Sequence, residues 1–343
     1  MTQSNRIGAS IYAVGLHFPE TRLGNEELAM ELDGWTAEKI YDKTGISERR
    51  VVASNETALD LAEKACLDLF DNKGVSREEV DFVILCTQAP DYILPTSACI
   101  LQHRLGLKTS IGAFDINLGC SGYVYGLSIA TGLIAAGSAK KILLVTADTY
   151  SKYINKKDRS VRTLFGDGAT ASLITSCDPS RSSIGSFVFG TDGSGAKHLI
   201  VPAGGARNPQ TQITAIESVD ASGNVRSPND LFMDGAAIMA FTLAEVPKAF
   251  TKLLETANVT LEQIDYVVFH QANGFMLEAL RKKMKIPHEK MPCSFEKIGN
   301  TVSSTIPVVI SDLMTTAKFE SGKTVALVGF GVGLSWAACI LSL

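Results

Sequence analysis

The chain has 343 residues, of which 45% are hydrophobic and 20% are charged. This composition supplies enough apolar side chains for a large core and excludes a disordered chain, and the length predicts two domains or one large duplicated domain. The formal net charge of −4 and the pI of about 5.8 give no basic surface for binding nucleic acid.

Strand-like runs of β-branched and aliphatic residues alternate with helical patterns, which predicts α/β architecture with βα units and a mostly parallel, buried sheet. The first clear helix spans 57–70, with Asn55 as its N-cap candidate. A second helix, over 123–136, is apolar on nearly every face and is therefore expected to be fully buried. The predicted strands, in chain order, are 80–87, 141–146, 169–175, 264–269, 324–329 and 334–341.

Two pairs of segments resemble each other at almost the same spacing. Residues 75–85 resemble residues 259–269 at an offset of 184, and residues 141–145 align with 324–328 at an offset of 183. Two matches at nearly one offset predict two copies of one α/β unit and not a solenoid of short repeats. The predicted halves are 1–178, which carries Cys120, and 179–343, which carries His270 and Asn300.

Each half has a loop that leads into the helix before its last duplicated strand. The loop is 117–122 in the first half and 299–304 in the second. If the two copies pack about a pseudo-twofold axis, equivalent loops lie near that axis. We therefore expect Cys120 and Asn300 to face one pocket, although they are 180 residues apart.

The seven cysteines are scattered, without a C-x-x-C pair or a Cys/His run at the spacing of metal ligands. This pattern predicts reduced thiols and no metal site. Residues 1–6 lack the apolar run of a secretory signal, and no apolar stretch reaches the ~18–20 residues of a membrane span. We therefore expect a cytoplasmic protein that does not act on a membrane.

Cys120 differs from the other cysteines in its neighbours. It lies between Gly119 and Gly122, which permit a sharp turn directly before the apolar helix. At a helix N-terminus the helix dipole and free N–H groups stabilise a thiolate, which lowers the thiol pKa from about 8.5 towards roughly 3.5–7.5. The setting predicts a nucleophile; the alternative is a buried cysteine that only packs in the core.

Polar residues follow two elements of the second half. His270 ends the strand 264–269, at the carboxyl edge where α/β folds place catalytic groups; the alternative is a hydrogen-bonded surface histidine. Asn300 lies in a Gly-Asn-Thr turn, where an asparagine equally suits an ordinary turn or an N-cap. The glycine-rich run 329–333 exposes N–H groups that can form an oxyanion hole or a phosphate-binding turn.

Six motifs, in this order, match a known family. They are Lys-Thr-Gly-Ile-Ser-Glu-Arg-Arg at 43–50, Gly-Cys-Ser-Gly at 119–122, Phe-Gly-Asp-Gly at 165–168, His-Gln-Ala-Asn at 270–273, Gly-Asn-Thr at 299–301 and Gly-Val-Gly at 331–333. With them the chain resembles the thiolase superfamily, and specifically the β-ketoacyl-acyl-carrier-protein synthase III family. The resemblance implies a homodimer of thiolase-like, five-layered α/β/α/β/α subunits with two duplicated halves, and Cys120, His270 and Asn300 as catalytic residues.

The resemblance also implies the reaction, a decarboxylating condensation that acts in fatty-acid initiation or in a specialised pathway. Cys120 attacks the thioester of an acyl-coenzyme A primer, and the N–H groups of Cys120 and Val332 stabilise the oxyanion. His270 and Asn300 then donate hydrogen bonds to a malonyl thioester as carbon dioxide leaves. The malonyl group is carried by acyl carrier protein or by coenzyme A, and no cofactor takes part, because coenzyme A thioester is the substrate.

Further positions match residues of the same family. Arg159 and Lys43 look like coenzyme A contacts, and Lys282 and Lys283 look like part of the basic patch that docks acyl carrier protein. Leu94 looks like the residue that caps the acyl pocket of the partner subunit.

Three positions depart from the family pattern. The usual Arg after the His-Gln-Ala-Asn motif is Phe275, and the usual adenine-stacking tryptophan is Lys39, with Trp35 four residues earlier. The usual triple glycine contains Val332. These departures bear on carrier docking, on coenzyme A binding and on the acyl pocket.

Two alternative functions remain at this stage. The first is an acyltransferase on the same fold that moves the acyl group from Cys120 to an oxygen, nitrogen or sulfur acceptor without decarboxylation. The second is a non-catalytic subunit of a heterodimeric synthase. That role requires degraded catalytic residues, whereas Cys120, His270 and Asn300 are all present.

Overall fold

The computed structural model describes residues 7–178, 180, 183–316 and 318–343; the N-terminal segment 1–6, expected to carry no secretory signal, lies outside the described residues. The strands are β1 (Gly8–His17), β2 (Arg22–Gly24), β3 (Glu48–Arg50), β4 (Phe82–Cys86), β5 (Gly112–Ile116), β6 (Lys141–Asp148), β7 (Gly168–Cys177), β8 (Ser183–Thr191), β9 (Leu199–Ile200), β10 (Ser218–Val219), β11 (Val225–Arg226), β12 (Phe232–Met233), β13 (Tyr266–Phe269), β14 (Thr324–Gly331) and β15 (Ser335–Ser342). The α-helices are α1 (Asn25–Glu31), α2 (Ala37–Thr44), α3 (Ala58–Asn72), α4 (Ser97–Arg104), α5 (Gly122–Ala135), α6 (Arg159–Arg162), α7 (Gly235–Ala257), α8 (Gly274–Met284) and α9 (Thr305–Thr315).

Two sheets of the same design form the centre of the molecule. The first has the order β1-β7-β6-β4-β5 and the second has the order β13-β14-β15-β8. In the first, β4 and β6 are parallel and β7 and β1 follow antiparallel; in the second, β13 and β14 are parallel and β15 and β8 follow antiparallel. β5 extends the first sheet beyond this shared core.

The register of the parallel pairs confirms the predicted duplication. Phe82 pairs with Ile142 in the first sheet, and Tyr266 pairs with Val325 in the second. Tyr266 lies 184 residues after Phe82, and Val325 lies 183 residues after Ile142. The two pairs are therefore related by the offsets found in the sequence. The predicted boundary falls between β7 and β8; residue 179 lies outside the described residues, and the division into two domains there stays a prediction.

Helices α5 and α9 form a layer between the two sheets, since each packs against strands of both. α3 and α4 cover the outer face of the first sheet, and α7 and α8 cover the outer face of the second. The apolar character of α5 follows from this position, because it has a sheet on either side. The expected five-layered α/β/α/β/α order is confirmed.

The ends of three predicted elements differ from the structure for local reasons. Asn55 is not the N-cap: α3 starts after Thr57, which forms a capping box with Asp60. β4 starts at Phe82 and β13 at Tyr266, each two residues later than predicted. A short 3₁₀ turn precedes each strand, and the predicted first strand residue, Val80 or Ile264, is its C-cap and donates its N–H back to the turn. Both copies therefore depart from the prediction in the same way.

Candidate active site

Cys120 lies at the start of the central layer, where the end of β14 comes close to it. Ser121 is the N-cap of α5, so Cys120 directly precedes the helix. A Cβ atom at Gly329 would lie 2.8 Å from the Cys120 carbonyl oxygen, and a Cβ at Gly331 would lie 2.9 Å from the Cys120 Sγ. Such contacts are too short for ordinary packing, so the glycines of this strand end are required by the approach to Cys120.

The Cys120 sulfur is buried, with the residue 5% exposed. Burial and the nearby Asp148 raise the pKa of the Cys120 thiol to about 12, and they outweigh the backbone N–H groups of Cys120 and Val332, which lower it. The expected lowering of the thiol pKa was therefore wrong for the unliganded protein. The free-energy cost of removing a thiolate from water is larger here than the stabilisation that the two N–H groups and the helix end provide.

His270 and Asn300 are in direct contact. The Asn300 Nδ2 is 3.5 Å from the His270 Nε2, and the His270 Nδ1 is 2.8 Å from the Thr305 Oγ1. The Thr305 hydroxyl donates to the Val302 carbonyl at 3.0 Å, so it accepts from a protonated Nδ1 and leaves Nε2 free of hydrogen. Burial lowers the pKa of His270 to about 3, which keeps the ring neutral at neutral pH.

The loop that carries Asn300 is held from both sides. The Asn300 backbone N–H donates to the Leu164 carbonyl at 2.9 Å, and the Asn300 carbonyl accepts from the Gly166 N–H at 3.1 Å. Its Oδ1 accepts from the Val302 N–H at 2.9 Å, and Val302 has a φ of 55°, a left-handed conformation that is costly for a β-branched residue. The Phe-Gly-Asp-Gly motif that contains Gly166 is therefore structural, because it anchors the Asn300 loop.

A cavity of about 530 Å³ has Cys120, His270 and Asn300 in its wall. The duplication predicted that Cys120 and Asn300 face one pocket, and the structure places His270 on the same cavity. No group of three or more His, Cys, Asp or Glu side chains suited to a metal ion occurs within the described ranges. In the same part of the chain, no helix is long and apolar enough to cross a membrane.

The predicted coenzyme A contacts lie on the same cavity, together with Trp35. The Trp35 ring is 5.1 Å from the amino nitrogen of Lys43, so the offset tryptophan still reaches the cavity. The Arg159 guanidinium donates to the carbonyl oxygens of Asp33, at 3.2 Å, and Gly223, at 2.7 Å. Arg159 therefore joins two loops at the cavity and has part of its hydrogen-bonding capacity in use.

Other predicted residues lie away from this cavity. Lys282 and Lys283 are exposed on the last turn of α8, where Lys282 is 3.3 Å from Glu278. Leu94 is 79% exposed in the connection before α4. Phe275, in contrast, lines the cavity and is 65% exposed.

Most of the residues that line a second cavity, of about 760 Å³, were missed by sequence reasoning. Val332 and Gly333 line it, and Leu199 lines both cavities. Its wall includes the polar side chains of Gln88, Asn117 and Tyr150. One signal in the sequence pointed to these residues. Asn117 precedes Asn300 by the duplication offset of 183, so it is the counterpart of Asn300 in the first half.

A duplicated, five-layered fold with a cysteine, a histidine and an asparagine on one cavity defines a thiolase-like condensing enzyme. Residues 114–193 match the family described as 3-oxoacyl-acyl-carrier-protein synthase III, and residues 254–343 match its C-terminal part. The β-ketoacyl-acyl-carrier-protein synthase III of Caldanaerobacter subterraneus is 34% identical over 98% of both chains, and that of Clostridioides difficile is 35% identical over 97% of this chain and 98% of its own. The chain belongs to the β-ketoacyl-acyl-carrier-protein synthase III family of condensing acyltransferases.

Solved structures agree with this assignment. A crystal structure of 3-oxoacyl-acyl-carrier-protein synthase III is 55% identical, covers 98% of this chain and all of its own, and has a TM-score of 0.95. The synthase of Burkholderia xenovorans LB400 is 36% identical over 98% of this chain and 94% of its own, with a TM-score of 0.89. The resemblance seen in the sequence is confirmed over nearly the whole chain.

Proposed function

We propose that the chain condenses an acyl-coenzyme A primer with a malonyl thioester in two steps that share Cys120. The observation that carries this proposal is the meeting of Cys120, His270 and Asn300 on one cavity, whose wall also contains Trp35 and Arg159. The alternative of transfer without decarboxylation has no observation in its favour. The enzyme works without a metal or cofactor, in the cytoplasm, and does not act on nucleic acid or membrane.

The first step transfers the acyl group to Cys120. The sulfur bonds to the thioester carbonyl carbon, and the N–H groups of Cys120 and Val332, which already face the sulfur, receive the oxyanion. The carbon–sulfur bond to coenzyme A then breaks, and coenzyme A leaves as the thiol with the proton that Cys120 loses. Since burial keeps Cys120 protonated in the free protein, this proton transfer accompanies the attack and does not precede it.

The second step forms the carbon–carbon bond. The malonyl carboxylate leaves as carbon dioxide, and its electron pair becomes an enolate whose oxygen accepts hydrogen bonds from His270 and Asn300. The enolate carbon attacks the acyl-Cys120 carbonyl, the bond to sulfur breaks, and a β-ketoacyl thioester is released. The Cys120 thiolate then takes up a proton from water, which restores the thiol. Neutral groups suit this role because a carboxylate beside the enolate would oppose its charge.

The donor role of His270 requires a proton on Nε2. Because the ring is neutral, Nδ1 must then accept a hydrogen bond, and the Thr305 hydroxyl at 2.8 Å is the group that can donate it. This means that the Thr305 hydrogen turns from the Val302 carbonyl to the ring. Thr305 is therefore proposed as a positioning residue for the decarboxylation step.

The enzyme is proposed to act as a homodimer in which Leu94 of one copy caps the acyl pocket of the other. Tyr92, Ile93 and Leu94 are 61%, 95% and 79% exposed, an apolar tip that is costly to leave in water. The malonyl carrier is proposed to be acyl carrier protein, with Lys282 and Lys283 as cationic contacts for its acidic surface. Arg159 and Lys43 are the proposed contacts for coenzyme A at the cavity mouth.

Intact-mass spectrometry with a panel of acyl-coenzyme A primers tests the first step. We expect the mass of one acyl group on the wild type and none on Cys120→Ala. Release of labelled carbon dioxide from malonyl thioester tests the second step, with Asn300→Ala expected to acylate normally but to release carbon dioxide much more slowly. A stable acyl-Cys120 without any carbon dioxide release by the wild type would refute the condensing reaction.

A further inference from the structure

The second cavity lies behind the turn that faces the nucleophile. Val332 follows Gly331, whose added Cβ would lie 2.9 Å from the Cys120 sulfur, and Val332 itself lines the second cavity. Leu199 belongs to the walls of both cavities. When a thioester reaches Cys120 from the Trp35 side, the second cavity therefore lies beyond Cys120 and can hold the acyl group.

A chain of hydrogen bonds crosses the wall of this second cavity. The Tyr150 hydroxyl donates to the Gln88 Oε1 at 2.6 Å, and the Gln88 Nε2 donates to the Asn117 Oδ1 at 3.3 Å. The Gln88 backbone N–H is held by the Asp148 carboxylate at 2.8 Å, which fixes the start of this network. Asn117 is an exposed residue on the cavity wall whose side-chain oxygen accepts from Gln88, so the network ends in the Asn117 amide hydrogens.

The direction of these bonds determines what the network can recognise. Tyr150 uses its only hydrogen on Gln88, so the hydrogens that remain for a ligand are those of the Gln88 and Asn117 amides, and each oxygen of the network keeps a lone pair. Amide hydrogens bind oxygen acceptors. A purely alkyl group placed against them would remove water without replacing its hydrogen bonds, which costs free energy.

The network is also close to the nucleophile. A Cβ atom built on Gly119, the residue before Cys120, would lie 2.5 Å from the Gln88 Oε1. Asn117 is three residues before Cys120 on the same loop. An oxygen bound by these amides would therefore lie within a few bonds of the thioester carbonyl, and the apolar side chains of Leu199 and Leu231 form wall that suits carbon.

We propose that the primer is a short acyl-coenzyme A that carries a hydroxyl or oxo group near its third carbon, which the Gln88 and Asn117 amides bind. The proposal rests on the proposed acylation of Cys120 and adds the chemical class of the acyl group. It assigns Gln88, Asn117 and Tyr150 as residues that determine specificity.

A matched pair of primers tests this inference. 3-Hydroxybutyryl-coenzyme A and butyryl-coenzyme A have the same carbon chain and differ by one hydroxyl, and the rate of acyl-Cys120 formation is measured by intact mass for each. We expect the wild type to favour the hydroxylated primer by about tenfold or more, since a site built to bind a hydroxyl rejects the analogue without it. Gln88→Leu and Asn117→Leu should abolish or reverse this preference, and Tyr150→Phe should reduce it.

Asn72→Leu is the matched control, because Asn72 is an exposed amide at the end of α3, bonded to Asp68 and remote from both cavity walls. It should keep the wild-type preference. If the wild type is acylated by butyryl-coenzyme A as fast as by the hydroxylated primer, this inference is overturned while the acylation of Cys120 stands. If neither these primers nor any of the wider panel acylates Cys120, the proposed function fails, and this inference fails with it.

Discussion

Gly331 shows how one missing side chain shapes the reactive centre. In Gly331→Ala, the new Cβ would lie 2.9 Å from the Cys120 Sγ and 3.0 Å from its Cβ, so the thiol must move. A displacement of about 1 Å at a reacting atom can cost about 100-fold in rate. We expect the rate of Cys120 acylation to fall by about 10- to 100-fold.

Gly132→Ala is the control for this substitution. Gly132 lies in α5, and apart from its chain neighbours and the backbone of that helix no atom lies within 4 Å of the position that its Cβ would take. Alanine there should leave acylation unchanged and raise the free energy of unfolding by about 0.4–1 kcal/mol. Equal acylation rates in Gly331→Ala and wild type would contradict the close approach at Cys120.

The Cys120 thiol should show its high pKa in its reactivity. Because burial and Asp148 raise the pKa to about 12, the thiolate fraction at pH 7 is very small and grows with pH. We expect iodoacetamide alkylation of Cys120 to rise continuously between pH 7 and 10, as followed by peptide mass spectrometry. Exposed Cys99 is the internal reference. A plateau already reached at pH 7 would mean that the helix end outweighs burial.

Thr305 should affect one step of the reaction and not the other. Thr305→Val keeps the shape of the side chain but removes the hydroxyl that can donate to the His270 Nδ1 at 2.8 Å. We expect carbon dioxide release to fall by about tenfold or more, acylation by acyl-coenzyme A to stay near the wild-type rate, and Thr305→Ser to restore release. Equal losses in both steps, without rescue by serine, would indicate a purely structural role.

At the scale of elements, the sequence predicted what repeats and missed what depends on distant contacts. The two strand pairs were visible because their apolar patterns recur at one offset, and the same offset brought Cys120 and Asn300 together correctly. The N-cap of α3 was misplaced because Asn55 and Thr57 are both good capping residues, and only the Asp60 partner distinguishes them.

The parts of the site that the sequence did not predict are joined by residues far apart in the chain. Thr305 and His270 are 35 positions apart, and Tyr150 and Gln88 are 62 apart. Neither pair has a local pattern, since a threonine at the start of a helix and a glutamine after a strand are ordinary residues. The predicted lowering of the Cys120 pKa was wrong for a related reason. The helix end is a local feature of the sequence, whereas burial depends on how both sheets pack around the thiol.

At the scale of the whole molecule, the apolar tip at Tyr92–Leu94 predicts the assembly. We expect the wild type to have twice the 36.7 kDa mass of one chain in analytical ultracentrifugation. Ile93→Asp with Leu94→Asp puts two charges into the proposed interface, so it should give monomers and slow acylation of Cys120. Met30→Asp is the control, because Met30 is 81% exposed on α1, outside the tip. An unchanged mass in the double variant would exclude this interface.

The matching of the halves also has a consequence for ancestry. At the duplication offsets, Cys120 corresponds to Ser303, and His270 corresponds to Cys86. A single ancestral unit that paired with its own copy would have had two equivalent reactive centres. In this chain the position that matches Cys120 carries a serine, and the Ser303 hydroxyl donates to the buried Asp148 carboxylate. The two halves therefore no longer have equivalent roles: one carries a thiol on the cavity, and the other carries a hydrogen-bonded serine at the matching position.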